Sequence, residues 1–196
     1  MPLYRISRLV ERHASRRRTI VLLLAASVFS VVFNFSSLPI SVPYFKQTSG
    51  QGLLDTRLYY TAHEAFSMIQ GYGEAGRRHY LQFLAADMMF IPLYSLGFSM
   101  LITSLMAGTG LQRNALLLNL LPLLAGSFDS LEDACILSML LEYPKHDSWI
   151  GTFSGAATAC KWSATLASLL CLAFLAAGRS KRRPKMEASA IEKEHA

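Results

Sequence analysis

Apolar residues along this chain are bunched into four long blocks, with polar residues gathered between them. The blocks are Thr19–Phe35, Tyr80–Met106, Ala115–Leu141 and Trp149–Ala177. At 1.5 Å per residue the first is roughly 26 Å long as a helix, a short but adequate crossing of a hydrocarbon layer about 30 Å thick, and the others are longer. Blocks that are apolar all round have neither the alternation of a strand nor the single stripe of a surface helix. The pattern therefore predicts an all-α, polytopic membrane protein, a four-transmembrane-helix antiparallel bundle. Pro92 in the second block is expected to kink it and free a backbone carbonyl.

The polar stretches fill in the rest. Ser36 to His79 carries Pro39, Pro43, Gly50, Gly52, Gly71, Gly73 and Gly76 and reads as a long outer loop. Within it Thr61-Ala62-His63-Glu64 has the capping-box form, and Ala62, Phe66 and Ile69 then share a face until Gly71. A short amphipathic helix lying at the membrane surface is predicted there. Ala107–Asn114 and Lys145–Ser148 are tight connections. The organisation is a basic segment 1–18, a transmembrane domain 19–178, and a basic, disordered tail 179–196. The first block with its basic flank also has the outline of a signal peptide, and the Arg- and Ser-rich start that of a transit sequence, although Val28–Ser37 offers no clear small-x-small cleavage site.

Composition supports this class. Of 196 residues 52% are hydrophobic and 16% charged, and a mean hydropathy of +0.30 is too high for an average soluble domain. The net charge of +6 comes mainly from Arg12, Arg16, Arg17 and Arg18 and from Arg179, Lys181, Arg182, Arg183 and Lys185. Basic residues flanking apolar blocks mark cytoplasmic ends and attract anionic headgroups, so the expected partners are the bilayer and its anionic lipids, with no nucleic acid. Four crossings place both termini on one side, the cytoplasmic side of a plasma membrane, with an organelle membrane as the alternative. Cys135, Cys160 and Cys171 lie within apolar blocks without metal spacing or a disulfide pattern. His63, His79 and His146 lack paired ligand spacing, so neither a metal nor a cofactor is expected.

The chemistry lies in the interruptions. Asp129, Glu132 and Asp133 sit inside the third block at spacings of three and four, which places them on one helical face. An ionised group at that depth costs roughly 2.5–3.5 kcal/mol by insertion scales and normally faces a protein interior. Lys161 interrupts the fourth block. Counted inward from Leu141 and Trp149, Asp129 and Lys161 are both about 18 Å deep, so antiparallel neighbours bring them level and an Asp129–Lys161 ion pair is expected. Asp87, in the second block, falls nearer the level of Glu132 and Asp133. Carboxylates sharing a low-dielectric site repel one another, and the usual relief is that one keeps its proton. Gly151, Gly155 and Ala159 form a small-residue stripe beside Lys161, expected to be a close helix–helix seam.

Four local patterns, Gly73-x-x-Gly76-Arg77-x-x-Tyr80, Asp87-x-x-x-x-Pro92-x-Tyr94, Phe128-Asp129-x-x-Glu132 and Lys161-Trp162, resemble a family of small, uncharacterised four-span membrane proteins of bacterial type. The resemblance runs from about Leu53 to Phe174. It implies the four-span fold and the same choice of polar residues. That family often has Asn where this chain has Asp133.

These readings converge on a buried network of Asp87, Asp129, Glu132, Asp133 and Lys161, open toward the outer leaflet and binding or moving a proton, a cation or a small polar or lipid headgroup. Arg77 and Arg78, ahead of the second block, are candidates for holding a lipid phosphate. One alternative is a scaffold in which the network only fixes helix packing. The other is a membrane-embedded lipid-modifying enzyme, for which Glu132 with His79 is the nominated acid–base pair.

Overall fold

A computed structural model describes residues 2–107 and 113–194, with side chains for 2–107 and 115–179. Every described element is helical. Four helices are long and apolar enough to cross a membrane, Arg16–Phe35, Gly73–Met106, Ala115–Leu141 and Ser148–Arg179. The connection expected at 107–114 and the basic side chains from Lys181 onward lie largely outside the described residues.

The chain opens with α1 (Pro2–His13), where the sequence reading had only a basic segment. Its Ser7 and Val10 are buried, and Ser7 explains why. The Ser7 hydroxyl donates to the Leu116 carbonyl at 3.0 Å, and the Ser7 carbonyl accepts from Asn119 Nδ2 at 3.2 Å. The same Asn119 amide donates to Thr103 Oγ1 at 3.0 Å, so both its hydrogens are used inside the protein.

Ser15 caps α2 (Arg16–Phe35) by accepting from the Arg18 amide. Phe33 of α2 packs on Phe83 and Phe90 of the long helix α5 (Gly73–Met106). The opposite side of α2, with Ile20, Val21, Leu24, Val28 and Val31, is exposed. So is a row on the last helix, α7 (Ser148–Glu194), comprising Leu166, Leu169, Leu170 and Phe174. Continuous apolar exteriors of this kind are unfavourable in water and suited to lipid.

The stretch read as a long loop is folded. Ser41 accepts from the Tyr44 amide and Pro43 lies in the first turn of α3 (Val42–Ser49), which Gly50 ends at φ 69°. Serine cap, early proline and left-handed glycine are start and stop signals of a helix, though the same residues also suit a loop. A short 3₁₀ turn follows at Leu54–Thr56. Then comes α4 (Ala62–Gly71), with both halves of the Thr61–Glu64 capping box formed. Its Ala65, Phe66 and Ile69 are buried against α7, α5 and α6, so its apolar face meets protein rather than a membrane surface. Gly73, at φ 64°, turns directly into α5, ahead of the Tyr80 start read from hydropathy.

The third apolar block is composite. Arg113–Leu120 is 3₁₀ and α6 proper runs Leu121–Leu141. Pro122 sits in the first turn of α6, where its missing N–H costs nothing. α2 packs on α5, α5 on α6, and α6 on α7. A hydrophobic core lies at one end of these helices, under the folded 42–72 segment. Phe45, Leu53, Leu54, Tyr60, Phe66 and Ile69 from that segment meet Tyr80, Phe83, Ile136 and Met139 from the long helices.

Candidate functional site

Asp129, Glu132 and Asp133 are one face of α6, as i, i+3 and i+4 spacing requires, and all three are buried. α7 carries Lys161 to the same level. Its ammonium lies 3.1 Å from Asp129 Oδ1 and 2.6 Å from Glu132 Oε2. The lysine thus forms the Asp129 ion pair expected from depth and bridges it to a second carboxylate, Glu132, which is the closer of the two. The third ligand of the ammonium is the backbone carbonyl of Asp55, which accepts from Nζ at 3.0 Å.

Glu132 is the saturated half of the network. It has no exposed surface, and its Oε1 accepts from the hydroxyls of Thr158, one turn before Lys161, and of Tyr60. Tyr60 Oη also lies 2.6 Å from Ser154 Oγ. Burial first, and then the nearby Glu132 carboxylate, push the Tyr60 phenol well above its ordinary range, which keeps it a neutral donor.

Asp55 is the member of the site that sequence reasoning missed. The 3₁₀ turn holds its carboxylate against Tyr80, whose hydroxyl donates to Oδ1 at 2.7 Å and accepts from the amides of Leu54 and Asp55. Burial raises the Asp55 carboxyl above the usual carboxylate range, against the opposing pull of Lys161 and the Tyr80 hydrogen bond. A lone acid in a loop rich in glycine and proline carries no signal of burial. The flanking Leu53 and Leu54, both fully buried, are the only hint.

The other half of the network is thinly partnered. Asp129 Oδ2 accepts from the Tyr94 hydroxyl at 2.7 Å. Asp87 from α5 and Asp129 and Asp133 from α6 each offer one carboxylate oxygen, and these three oxygens lie within 4.8 Å of one another. Asp133 is 2% exposed, and neither of its oxygens has a hydrogen-bond partner among the described residues.

A cavity of about 470 Å³ opens on this half. Asp55, Asp87, Asp129 and Lys161 form its polar floor, and Phe33, Phe83, Phe90, Phe98 and Trp162 supply aromatic wall. Trp162 is held in place by donating its indole N–H to the Arg57 carbonyl at 2.7 Å. The volume is in the range of small-molecule sites, and apolar walls with few convergent polar groups are their usual make-up.

The remaining candidates lie elsewhere. Arg77 is half-buried, donates to the Ile69 carbonyl at 3.4 Å and stacks 3.9 Å from the centre of the Tyr143 ring. Arg78 is exposed and pairs with Glu74 at 3.1 Å. His79 engages Gln82 and the Tyr44 ring at the surface, whereas Glu132 is enclosed by Lys161, Thr158 and Tyr60, so the two share no partner. The small-residue stripe of α7 is a close seam, as expected, and its partner is the start of the short helix α4 with the residues just before it. A Cβ on Gly151 would sit 2.8 Å from Ala62, and one on Gly155 would strike the Tyr60 carbonyl. The stripe admits the 60–62 backbone rather than another long helix. No family model, curated protein or solved structure matches this chain, so its chemistry is read from the site itself.

Proposed function

We propose that the chain is a four-span, antiparallel helical membrane protein that binds a cation, or the cationic head of an amphiphile, at the floor of its aromatic-walled cavity. One observation carries this reading. Among the described residues the buried charged groups are Asp55, Asp87, Asp129, Glu132 and Asp133 against Lys161 alone. Five carboxylates facing one ammonium in a low-dielectric interior concentrate negative potential, and positive charge, as a proton or as a bound cation, relieves it. The cavity supplies the route to Asp87 and Asp129. Its aromatic faces favour an organic ammonium as well as a bare ion.

The scaffold reading is supported by Glu132 and its partners, a closed set that ties α6, α7 and the 60–62 segment together. The two readings divide the network: Glu132, Tyr60, Thr158 and Ser154 hold the fold, and Asp87, Asp129 and Asp133 receive the ligand. The membrane is the plasma membrane, with both termini cytoplasmic and the cavity toward the outer leaflet. Arg78 meets anionic headgroups at the interface, and no nucleic acid is involved.

The test is thermal unfolding of the full chain in lipid nanodiscs, titrated with Na⁺, K⁺, Mg²⁺, Ca²⁺, Mn²⁺ and a short-chain alkyltrimethylammonium. A ligand that binds only the folded state raises the transition temperature with concentration. At least one cation is expected to do so in the wild type and not in Asp87→Asn. A flat response to the whole series would overturn the reading.

A further inference from the structure

We propose that Asp87, Asp129 and Asp133 form a binding site for a hard divalent cation of the Mg²⁺, Ca²⁺ or Mn²⁺ class. The inference rests on the cation-binding reading above and names its ion and its ligands. Three observations lead to it.

The first is geometry. Two ligand atoms on one ion can be no farther apart than twice the metal–oxygen bond, which is about 2.0–2.1 Å for Mg²⁺ and about 2.3–2.6 Å for Ca²⁺. One oxygen from each of the three aspartates falls within 4.8 Å of the other two, a span that an ion of Ca²⁺ size bridges and that a smaller ion of Mg²⁺ size bridges once the oxygens draw in by roughly half an ångström. The two helices fix it: Asp129 and Asp133 are one turn apart on α6, and Asp87 reaches across from α5.

The second is Asp133. It is 2% exposed, it contributes an oxygen to the cluster, and neither oxygen accepts a hydrogen bond from any described residue. A buried carboxylate left without donors is costly unless another group supplies positive charge. Glu132, one residue earlier on the same helix, shows the contrast, since it takes Lys161, Thr158 and Tyr60.

The third is access and balance of charge. Asp87 and Asp129 line the cavity, and Asp133 places an oxygen within 4.8 Å of an oxygen of each, so an ion that reaches the first two through the cavity is within reach of the third. Lys161 is the charge that opposes it. Its shorter contact is to Glu132, at 2.6 Å against 3.1 Å to Asp129, so Asp129 shares the ammonium with Glu132, and among the described residues Asp87 and Asp133 have no ion pair with it. Asp129 spends Oδ1 on Lys161 and Oδ2 on Tyr94, and each carboxylate oxygen has a second lone pair for the ion. An all-carboxylate set selects hard ions over Zn²⁺ or Cu²⁺, which prefer imidazole and thiolate.

The experiment uses the full chain, stripped of metal with a chelator and reconstituted in nanodiscs of zwitterionic lipid. Mn²⁺ is titrated and the free ion followed by electron paramagnetic resonance, with Mg²⁺, Ca²⁺ and Na⁺ as competitors. One Mn²⁺ per chain is expected, displaced by Mg²⁺ or Ca²⁺ and not by Na⁺ at matched ionic strength. Asp133→Asn and Asp87→Asn, near-isosteric changes, should each weaken binding by about 10- to 100-fold, the range that even outer-shell partners of a metal command. Glu142→Gln, at an exposed position, should leave it unchanged. Should an Asn variant fail to fold, the stoichiometry and competition order of the wild type still decide. Binding no greater than that of empty nanodiscs, or displaced equally by Na⁺, overturns the divalent site. If alkylammonium or monovalent ions still raise the unfolding temperature, the cation-binding reading survives that result. If no cation does, both fall.

Discussion

Lys161 illustrates how much a single buried side chain can organise. Its ammonium joins α7 to two acids of α6 and to the Asp55 carbonyl. Removing one partner of a buried ion pair leaves an uncompensated charge and costs about 3–5 kcal/mol. Lys161→Met is therefore expected to lower folded yield and unfolding temperature sharply in detergent. Adding Glu132→Gln to that variant should recover more than adding Asp129→Asn, because Glu132 is fully enclosed while Asp129 keeps Tyr94 and borders the cavity. The reverse order of rescue would show that Asp129 is the principal partner. Asp55 gives a pH signature. Its folded carboxyl is raised by burial, so its favourable contribution is complete below the ordinary carboxylate value of about 3.9 and is lost as pH rises through the folded value. Asp55→Asn keeps an acceptor for Tyr80 and leaves the backbone carbonyl for Lys161. Unfolding measured from pH 4 upward should show a flatter decline for that variant than for the wild type.

Among the elements, the seam between α7 and the 60–62 segment is the least forgiving. Gly155 has no room for a Cβ because the Tyr60 carbonyl occupies that place. Gly155→Ala is expected to destabilise by about 1–3 kcal/mol, the usual cost of overpacking. Gly178, also in α7, has nothing within 4 Å of its Cβ position, and Gly178→Ala should gain about 0.5–1 kcal/mol from helix propensity. Chemical unfolding of the two variants side by side checks both signs. The seam also explains how a connecting segment became part of the core: with no side chain on Gly151 or Gly155, Tyr60 can approach α7 and reach Glu132. The capping box of α4 was legible because it is local, Thr61 and Glu64 satisfying each other's backbone amides across a four-residue window. Where α4 would lie was not, because its apolar face suits a membrane surface and a protein groove equally well.

Over the whole molecule, an even number of crossings places both termini on one side. Epitope tags at the two ends should be accessible from the same face of sealed vesicles, and a cysteine placed at Lys145 should react with an impermeant reagent only from the other. Tags on opposite faces would mean that one of the four long helices does not cross. The four helices, the acidic face of α6 and its level match with Lys161 were determined by the sequence alone. They depend on helical periodicity and on the free energy of moving residues into hydrocarbon, and both act over a few turns of chain. Only the tertiary structure decided that residues 42–72 fold over one end, that Asp55 and Tyr60 enter the site, and that Lys161 favours Glu132. The contacts of Tyr60 with Glu132 and Ser154 and of Asp55 with Lys161 join residues 72 to 106 positions apart. They follow from which apolar side chains of the segment fit between the helix ends, a matter of shape and packing that composition and spacing do not encode.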